Sequence, residues 1–152
     1  MKSIEKSTTL LVVEDSQEDY ETIQRALRAA GMMNPIRHCI DGDSALDYLF
    51  RRGPCADLRS TPLPGFILLD LNLPGTDGRD VIRELKTDAT LRKIPVIVLT
   101  TSGDERDIEA CYDAGANSYI KKPVSFNGFI EAVIRLKEFW FEIAVLPKEP
   151  VI

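Results

Sequence analysis

Phe66-Ile67-Leu68-Leu69-Asp70-Leu71-Asn72-Leu73-Pro74-Gly75 is the stretch on which the fold turns. Its four leading apolar residues are too few for a helix. Pro64-Gly65 before them and Pro74-Gly75 after them mark a short strand buried on both faces. Asp70 ends that strand. An ionised carboxylate buried without a partner costs several kcal/mol or shifts its pKa, so this position must open to solvent or meet a counterion. In parallel α/β sheets, ligand crevices form at the carboxyl ends of the strands. Asp70 is therefore the first candidate for chemistry. Taken alone, it reads equally well as the turn residue leading to the next helix.

The same pattern repeats on both sides. Residues 8–13 form a β-rich apolar run ending in Glu14-Asp15. Ser16 with Asp19 three residues on has the form of a capping box. Ile23, Ala26, Leu27 and Ala30 then recur at helical spacing, and Gly31 supplies the stop. Residues 35–40 predict a second strand. Asp41-Gly42 is a turn, and Ala45, Leu46, Leu49 and Phe50 mark a second helix. The breaker-rich segment 53–65 is long for a helix-to-strand connection and reads as a surface insertion. After the central strand, Asp77-Gly78 leads into a helix carrying Val81, Ile82 and Leu85. Residues 95–99 give a fourth strand and 104–114 a fourth helix; 117–120 give a fifth strand and 125–143 a last helix. Strands alternating with helices predict an α/β fold, a flavodoxin-like (βα)5 doubly wound parallel sheet of strand order 2-1-3-4-5.

Composition narrows the classes. The chain's 152 residues suit one domain, and 44% hydrophobic with 28% charged residues is ordinary for a globular protein. A net charge of −5 argues against a nucleic-acid or anionic-membrane surface. Cys39, Cys55 and Cys111 are odd in number and widely spaced, which suits a reducing, cytoplasmic setting rather than a disulfide framework. No signal peptide precedes the first strand, and no run reaches the ~18 apolar residues of a membrane span.

Chemistry collects after the strands: Glu14 and Asp15 after the first, Asp70 after the third, Thr100 after the fourth, Lys122 after the fifth. Strands one and three are neighbours at the switch point of the expected order, so three carboxylates share one crevice. Like charges ~4–6 Å apart repel by roughly 1–4 kcal/mol per pair at effective dielectric constants of ~20–80. A proton or a hard cation relieves this, and all-oxygen donors suit Mg2+. Two cations and a hydroxyl around one carboxylate are what a transferring phosphoryl group needs, with Asp70 as nucleophile. Each residue also has a plainer reading, as a cap, a turn residue or a solvated charge.

Together these residues resemble response-regulator receiver domains. The resemblance is carried by Glu14-Asp15, Asp70 with Leu73-Pro74-Gly75 and Asp77-Gly78, Thr100, and Lys122-Pro123, and spans residues 8–136. It implies that Asp70 is the phosphoacceptor. Asp15 and Asp70 would bind Mg2+ with the carbonyl of Asn72, and Glu14 would act through a metal-bound water. Lys122 would pair with the phosphoryl group, Thr100 and Tyr119 would form the switch pair, and the Lys122–Pro123 peptide would be cis. The acid pair is Glu-Asp where many members have Asp-Asp, and Thr101 stands where many have Ala or Gly, narrowing access to Asp70. His38, the single histidine, shares a strand face with Ile36 and Ile40 and reads as structural. The phosphohistidine must then belong to a partner, a histidine kinase.

The last helix carries more apolar surface than a core-facing helix needs. Phe126, Phe129, Ile130, Val133, Ile134, Leu136, Phe139, Trp140, Phe141 and Ile143 fill roughly 220° of the wheel, against a little over ~100° for one buried face. Either the insertion or the tail covers the surplus, or it is an interface, most simply a homodimer through Phe129, Ile130, Val133, Ile134, Phe139, Trp140 and Phe141. Expected boundaries are a receiver domain over 1–143 and a tail over 144–152, with output through the domain's own surface. The ending from Phe139 to Pro147 resembles small single-domain regulators of bacterial and cyanobacterial phytochrome histidine kinases. Two rival functions are a phosphorylation-independent pseudo-receiver scaffold and an aspartyl-phosphate phosphatase. The second needs an acid two residues after the nucleophile, where this chain has Asn72.

Overall fold

The structure, a computed structural model, describes residues 8–147. Residues 148–152 of the expected tail and the first seven residues of the expected domain lie outside the described residues. The chain runs β1 (Leu10–Val13), α1 (Gln17–Ala29), β2 (Ile36–Cys39), α2 (Gly42–Phe50), β3 (Phe66–Leu69), α3 (Gly78–Thr87), β4 (Val96–Thr100), α4 (Glu105–Ala114), β5 (Ser118–Lys121) and α5 (Phe126–Lys137). All strand pairs are parallel, in the order β2-β1-β3-β4-β5. This is the doubly wound (βα)5 sheet read from the sequence.

Strand alternation divides the core in two. Leu11, Val13, Ile67, Leu69, Val96 and Val98 face α2, α3 and α4, where Leu46, Leu49, Val81, Ile82, Leu85 and Cys111 meet them. Leu10, Val12, Phe66, Leu68, Ile97 and Leu99 face α1 and α5, meeting Ile23, Leu27, Phe129, Val133 and Leu136. Each helix begins at a Ser or Asp whose side chain accepts a first-turn backbone N–H: Ser16, Asp41, Asp77, Asp104 and Ser125.

Three local expectations change. Segment 53–65 is not a loose surface insertion. It opens with a 3-10 turn over Gly53–Leu58, and Cys55 and Leu63 are buried in the core. Arg51, itself buried, ties the segment down by donating to the carbonyls of Tyr48 and Pro62, each at 2.8 Å, while its guanidinium lies over the Tyr48 ring. The last helix is α-helical only to Lys137 and continues as a π-helical turn over Glu138–Ile143. Finally, Phe129, Val133 and Phe141 were expected at an interface but are buried in the chain's own core. Ile130, Ile134 and Trp140 are half-buried and Phe139 is exposed. The wider π turn rotates Phe141 onto Phe66, ring centroids 4.7 Å apart, and sets Trp140 against the same ring at 5.8 Å.

The extension is therefore part of the folded core. Phe141→Ala is expected to lower unfolding stability by about 3–5 kcal/mol. Urea denaturation checks this; a loss under about 1 kcal/mol would mean that Phe141 packs only loosely.

Candidate functional site

The sheet register places the acids. Val13 pairs with Leu69, and the Asp70 N–H donates to the Val13 carbonyl at 3.0 Å, so Glu14 and Asp70 leave adjacent strands side by side. The start of α3 presses close to this edge. A Cβ on Gly78 would lie 2.7 Å from the Asp70 carbonyl oxygen and 2.9 Å from Leu71 Cα, so only glycine fits there. Glu14, Asp15 and Asp70 each offer a carboxylate oxygen within 4.8 Å of the others. Glu14 and Asp70 are buried and Asp15 is exposed at the mouth.

Lys122 arrives from beyond β5, its N–H bonded to the Thr100 carbonyl at 2.7 Å. Its ammonium donates to three carboxylates: Glu14 Oε1 at 2.6 Å, Asp19 Oδ2 at 2.7 Å and Asp70 Oδ2 at 3.1 Å. Asp19 was read as the return arm of a capping box. Its side chain instead crosses to Lys122, and Glu14 accepts the Ser16 N–H at 3.2 Å in its place. With both partners charged, the bond to the Lys122 ammonium prevails over the cap bond, in which only the carboxylate is charged.

Electrostatics separates the acids. Burial pushes Glu14 up to about 7, helped by the neighbouring Asp70 charge and opposed by the Lys122 hydrogen bond. Burial also pulls Asp70 upward, but the Lys122 charge and hydrogen bond, with the Asn72 N–H, outweigh it and hold the carboxyl below its ordinary value. Burial works against the Lys122 ammonium, and its bonds to Asp19 and Glu14 overcome this and raise its pKa. Asp70 thus stays ionised while Glu14 takes the proton as pH falls.

With its folded pKa raised by burial above the ordinary carboxyl value of 4.5, Glu14 contributes stability that is present below about 4.5 and lost as pH rises through about 7. Asp70, shifted the other way, acts only below its ordinary range. In the metal-free protein, stability should fall by at most roughly 3 kcal/mol across that window. Glu14→Gln should flatten the profile. Urea midpoints measured in chelator from pH 4 to pH 8 test this; a wild-type profile as flat as the variant's would refute it.

Thr100 is fully buried, and its hydroxyl makes no close hydrogen bond among the described residues, although it lies near enough to the Asp70 carboxylate to help hold its pKa down. Such a group costs about 1–3 kcal/mol and is poised for an acceptor from outside. The Tyr119 hydroxyl donates to the Ser102 carbonyl at 2.8 Å. The Ser102 hydroxyl donates to Asp107 at 2.6 Å, and Arg79 links Asp107 to Asp77. This chain of bonds behind Tyr119 had no spacing signal in the sequence. The Lys122–Pro123 peptide is trans, as are all peptide bonds among the described residues, where the resemblance implied cis. Trans is the lower isomer for an X–Pro bond by about 0.5–1 kcal/mol. His38 is structural as expected: its Nε2 donates to the Glu14 carbonyl at 2.7 Å, and its ring stacks on Tyr20 with centroids 3.6 Å apart.

The donor set fits a divalent cation. It is all oxygen, it opens to solvent at Asp15, and it contains a carboxylate whose charge is strained by burial. The sheet order, the acid cluster at its switch point and the lysine facing it define a phosphoryl-accepting α/β domain, and the comparisons with known proteins agree. The family profile described as "Response regulator receiver domain" matches residues 10–134. Response regulator Rcp1 of Synechocystis is 37% identical over 138 residues, covering 91% of this chain and 92% of that protein. The crystal structure of the phosphorylated cyanobacterial phytochrome response regulator RcpA has a TM-score of 0.87 at 39% identity, covering 93% of this chain and 99% of that one. The Mn2+-bound form of Rcp1 has a TM-score of 0.85 at 36% identity, covering 92% and 99%.

The chain belongs to the response regulator receiver domain family. Its acidic cluster serves Mg2+-assisted phosphorylation of an aspartate by a cognate histidine kinase. Gain and loss of the phosphoryl group are self-catalysed, not the turnover of a separate substrate. Among the described residues no helix is long and apolar enough to cross a membrane.

Proposed function

We propose that Asp70 is the phosphoacceptor of this chain, that its kinase is a phytochrome-type histidine kinase, and that its output is a homodimer built on the α5 end. The observation that carries the first part is the ammonium of Lys122 set 3.1 Å from Asp70 Oδ2, opposite the acids that would hold Mg2+. Glu14, Asp15 and Asp70 would hold the ion, with the Asn72 carbonyl. When bound, Mg2+ supplies positive charge to the phosphoryl oxygens. Asp70, kept ionised by Lys122, attacks phosphorus. Lys122 then pairs with the new phosphoryl oxygens, and the buried Thr100 hydroxyl beside Asp70 turns to donate to them. Tyr119 leaves the Ser102 carbonyl as that loop moves. Pro123 fixes the backbone that follows Lys122 and leads into α5.

The partner reading is supported by Rcp1 and by RcpA, the latter described as a phytochrome response regulator. The dimer reading is supported by what the fold leaves outside: Phe126 and Phe139 are half exposed, Ile143 and Val145 more so, and Ile130 and Ile134 lie between. No nucleic-acid partner is proposed, given the net charge of −5. Three buried free thiols suit a reducing cytoplasm. Phosphotransfer from a panel of purified histidine kinases should be fastest from a phytochrome kinase. Sedimentation should show a dimer that Phe139→Glu with Ile143→Glu disrupts. Equal transfer from all kinases would remove the partner assignment, and a monomer at all concentrations would remove the dimer.

A further inference from the structure

Asp19 is a fourth carboxylate at this pocket, and it lies outside the set of acids placed to hold a cation. It comes from the first turn of α1, yet its side chain reaches across to an ammonium 103 residues away in sequence. The three N–H bonds of Lys122 are matched by three carboxylates and are fully used. Two of these acceptors sit at the floor, with the Glu14 and Asp70 side chains 2% and 8% exposed. Asp19 sits at the rim, 38% exposed. A phosphoryl group arriving from solvent therefore meets Asp19 as it approaches Lys122.

We propose that Asp19 is a positioning residue acting through Lys122: it holds the ammonium from the rim side and neutralises part of its charge, restraining phosphoryl transfer from small anionic donors. The inference rests on Asp70 as the acceptor. In that reaction an Asp70 carboxylate oxygen forms the new O–P bond while the P–O bond of an acyl phosphate breaks, its electron pair leaving on the carboxylate product. The incoming phosphoryl group carries negative charge throughout. Asp19 repels it and occupies an N–H of Lys122 that it needs. A unit charge about 6 Å away, partly screened by solvent, changes the rate of such an encounter by about three- to tenfold.

The test is the rate of phosphorylation by acetyl phosphate, with Mg2+, of the full chain and of three variants. Asp19→Asn keeps the shape and removes the charge; it is expected to react about three- to tenfold faster, with the gain shrinking as salt is added. Asp19→Glu restores the charge and is expected to return toward the wild-type rate. A second readout needs no metal. Reductive methylation of Lys122, followed by mass spectrometry in chelator, is expected to be several-fold faster in Asp19→Asn, because the ammonium loses a charged partner. An Asp19→Asn protein that phosphorylates no faster than wild type overturns the proposal, as does an unchanged methylation rate. Asp70→Asn, run alongside, separates the two failures. If it still takes up phosphoryl groups, the acceptor reading has failed. If it is silent while Asp19→Asn shows no gain, only the restraint by Asp19 has failed.

Discussion

Asp70→Asn is expected to lower phosphoryl incorporation from acetyl phosphate or a cognate kinase by at least about a hundredfold, because the amide has no anionic oxygen to form the O–P bond. The same substitution should leave the fold intact. Lys122 keeps Glu14 and Asp19 as partners, and Asn72 N–H can still reach the amide oxygen. Removing one negative charge from the pocket also relieves its repulsion with Glu14. Stability should therefore change little, the lost pairing with Lys122 being set against the relieved repulsion. Gel-shift or radiolabel assays read the first effect and urea denaturation the second. Labelling that persists, for instance on the exposed Asp15, would show that the nucleophile is another carboxylate.

Lys122→Met should do the opposite to stability. It keeps the stem's volume but strips three carboxylates of their shared cation. Removing one partner from a buried ion pair costs about 3–5 kcal/mol, since the other charges remain desolvated. The loss should be largest in chelator above pH 7, where Glu14 is ionised, and should shrink as Mg2+ is added. Combining it with Asp70→Asn should recover part of the deficit, since the two sites share one network. A metal-free unfolding curve that superimposes on wild type would mean that these carboxylates are not ionised together.

Most of the fold was legible because the three inner strands β1, β3 and β4 are apolar runs between Pro, Gly or acidic residues, and each helix has a Ser or Asp at its start. Glu14, Asp70, Thr100 and Lys122 were legible for a related reason. Polar residues at the ends of buried strands have no packing role, so they stand out. What escaped involves partners far apart in sequence. Asp19 sits at a position that local spacing assigns to a cap, and only the folded chain shows Lys122 taking it. The π-helical turn escaped because an apolar stretch such as Phe139-Trp140-Phe141 fits either helical period. The side chains that turn inward, Phe129, Val133 and Phe141, could not be told from those left outside. Arg51 escaped as well: a buried guanidinium whose terminal nitrogens bond to carbonyls leaves no charge pattern to read.

The π-helical turn has a mechanical consequence. Trp140 and Phe141 clamp Phe66, the first residue of the strand whose far end leads into Asp70, so the clamp lies about 13 Å from the phosphorylation pocket. The α5 helix spans that separation as a rod about 18 Å long, with Pro123 near its upper end and the clamp at its lower end. With the lower end pinned by two aromatic side chains, a shift of Lys122 pivots the rod rather than sliding it. A tilt of about 3° moves the free end by about 1 Å. Phosphorylation would thus be felt along the outer face of α5 as a change of its angle to the sheet, with the clamp as the fulcrum.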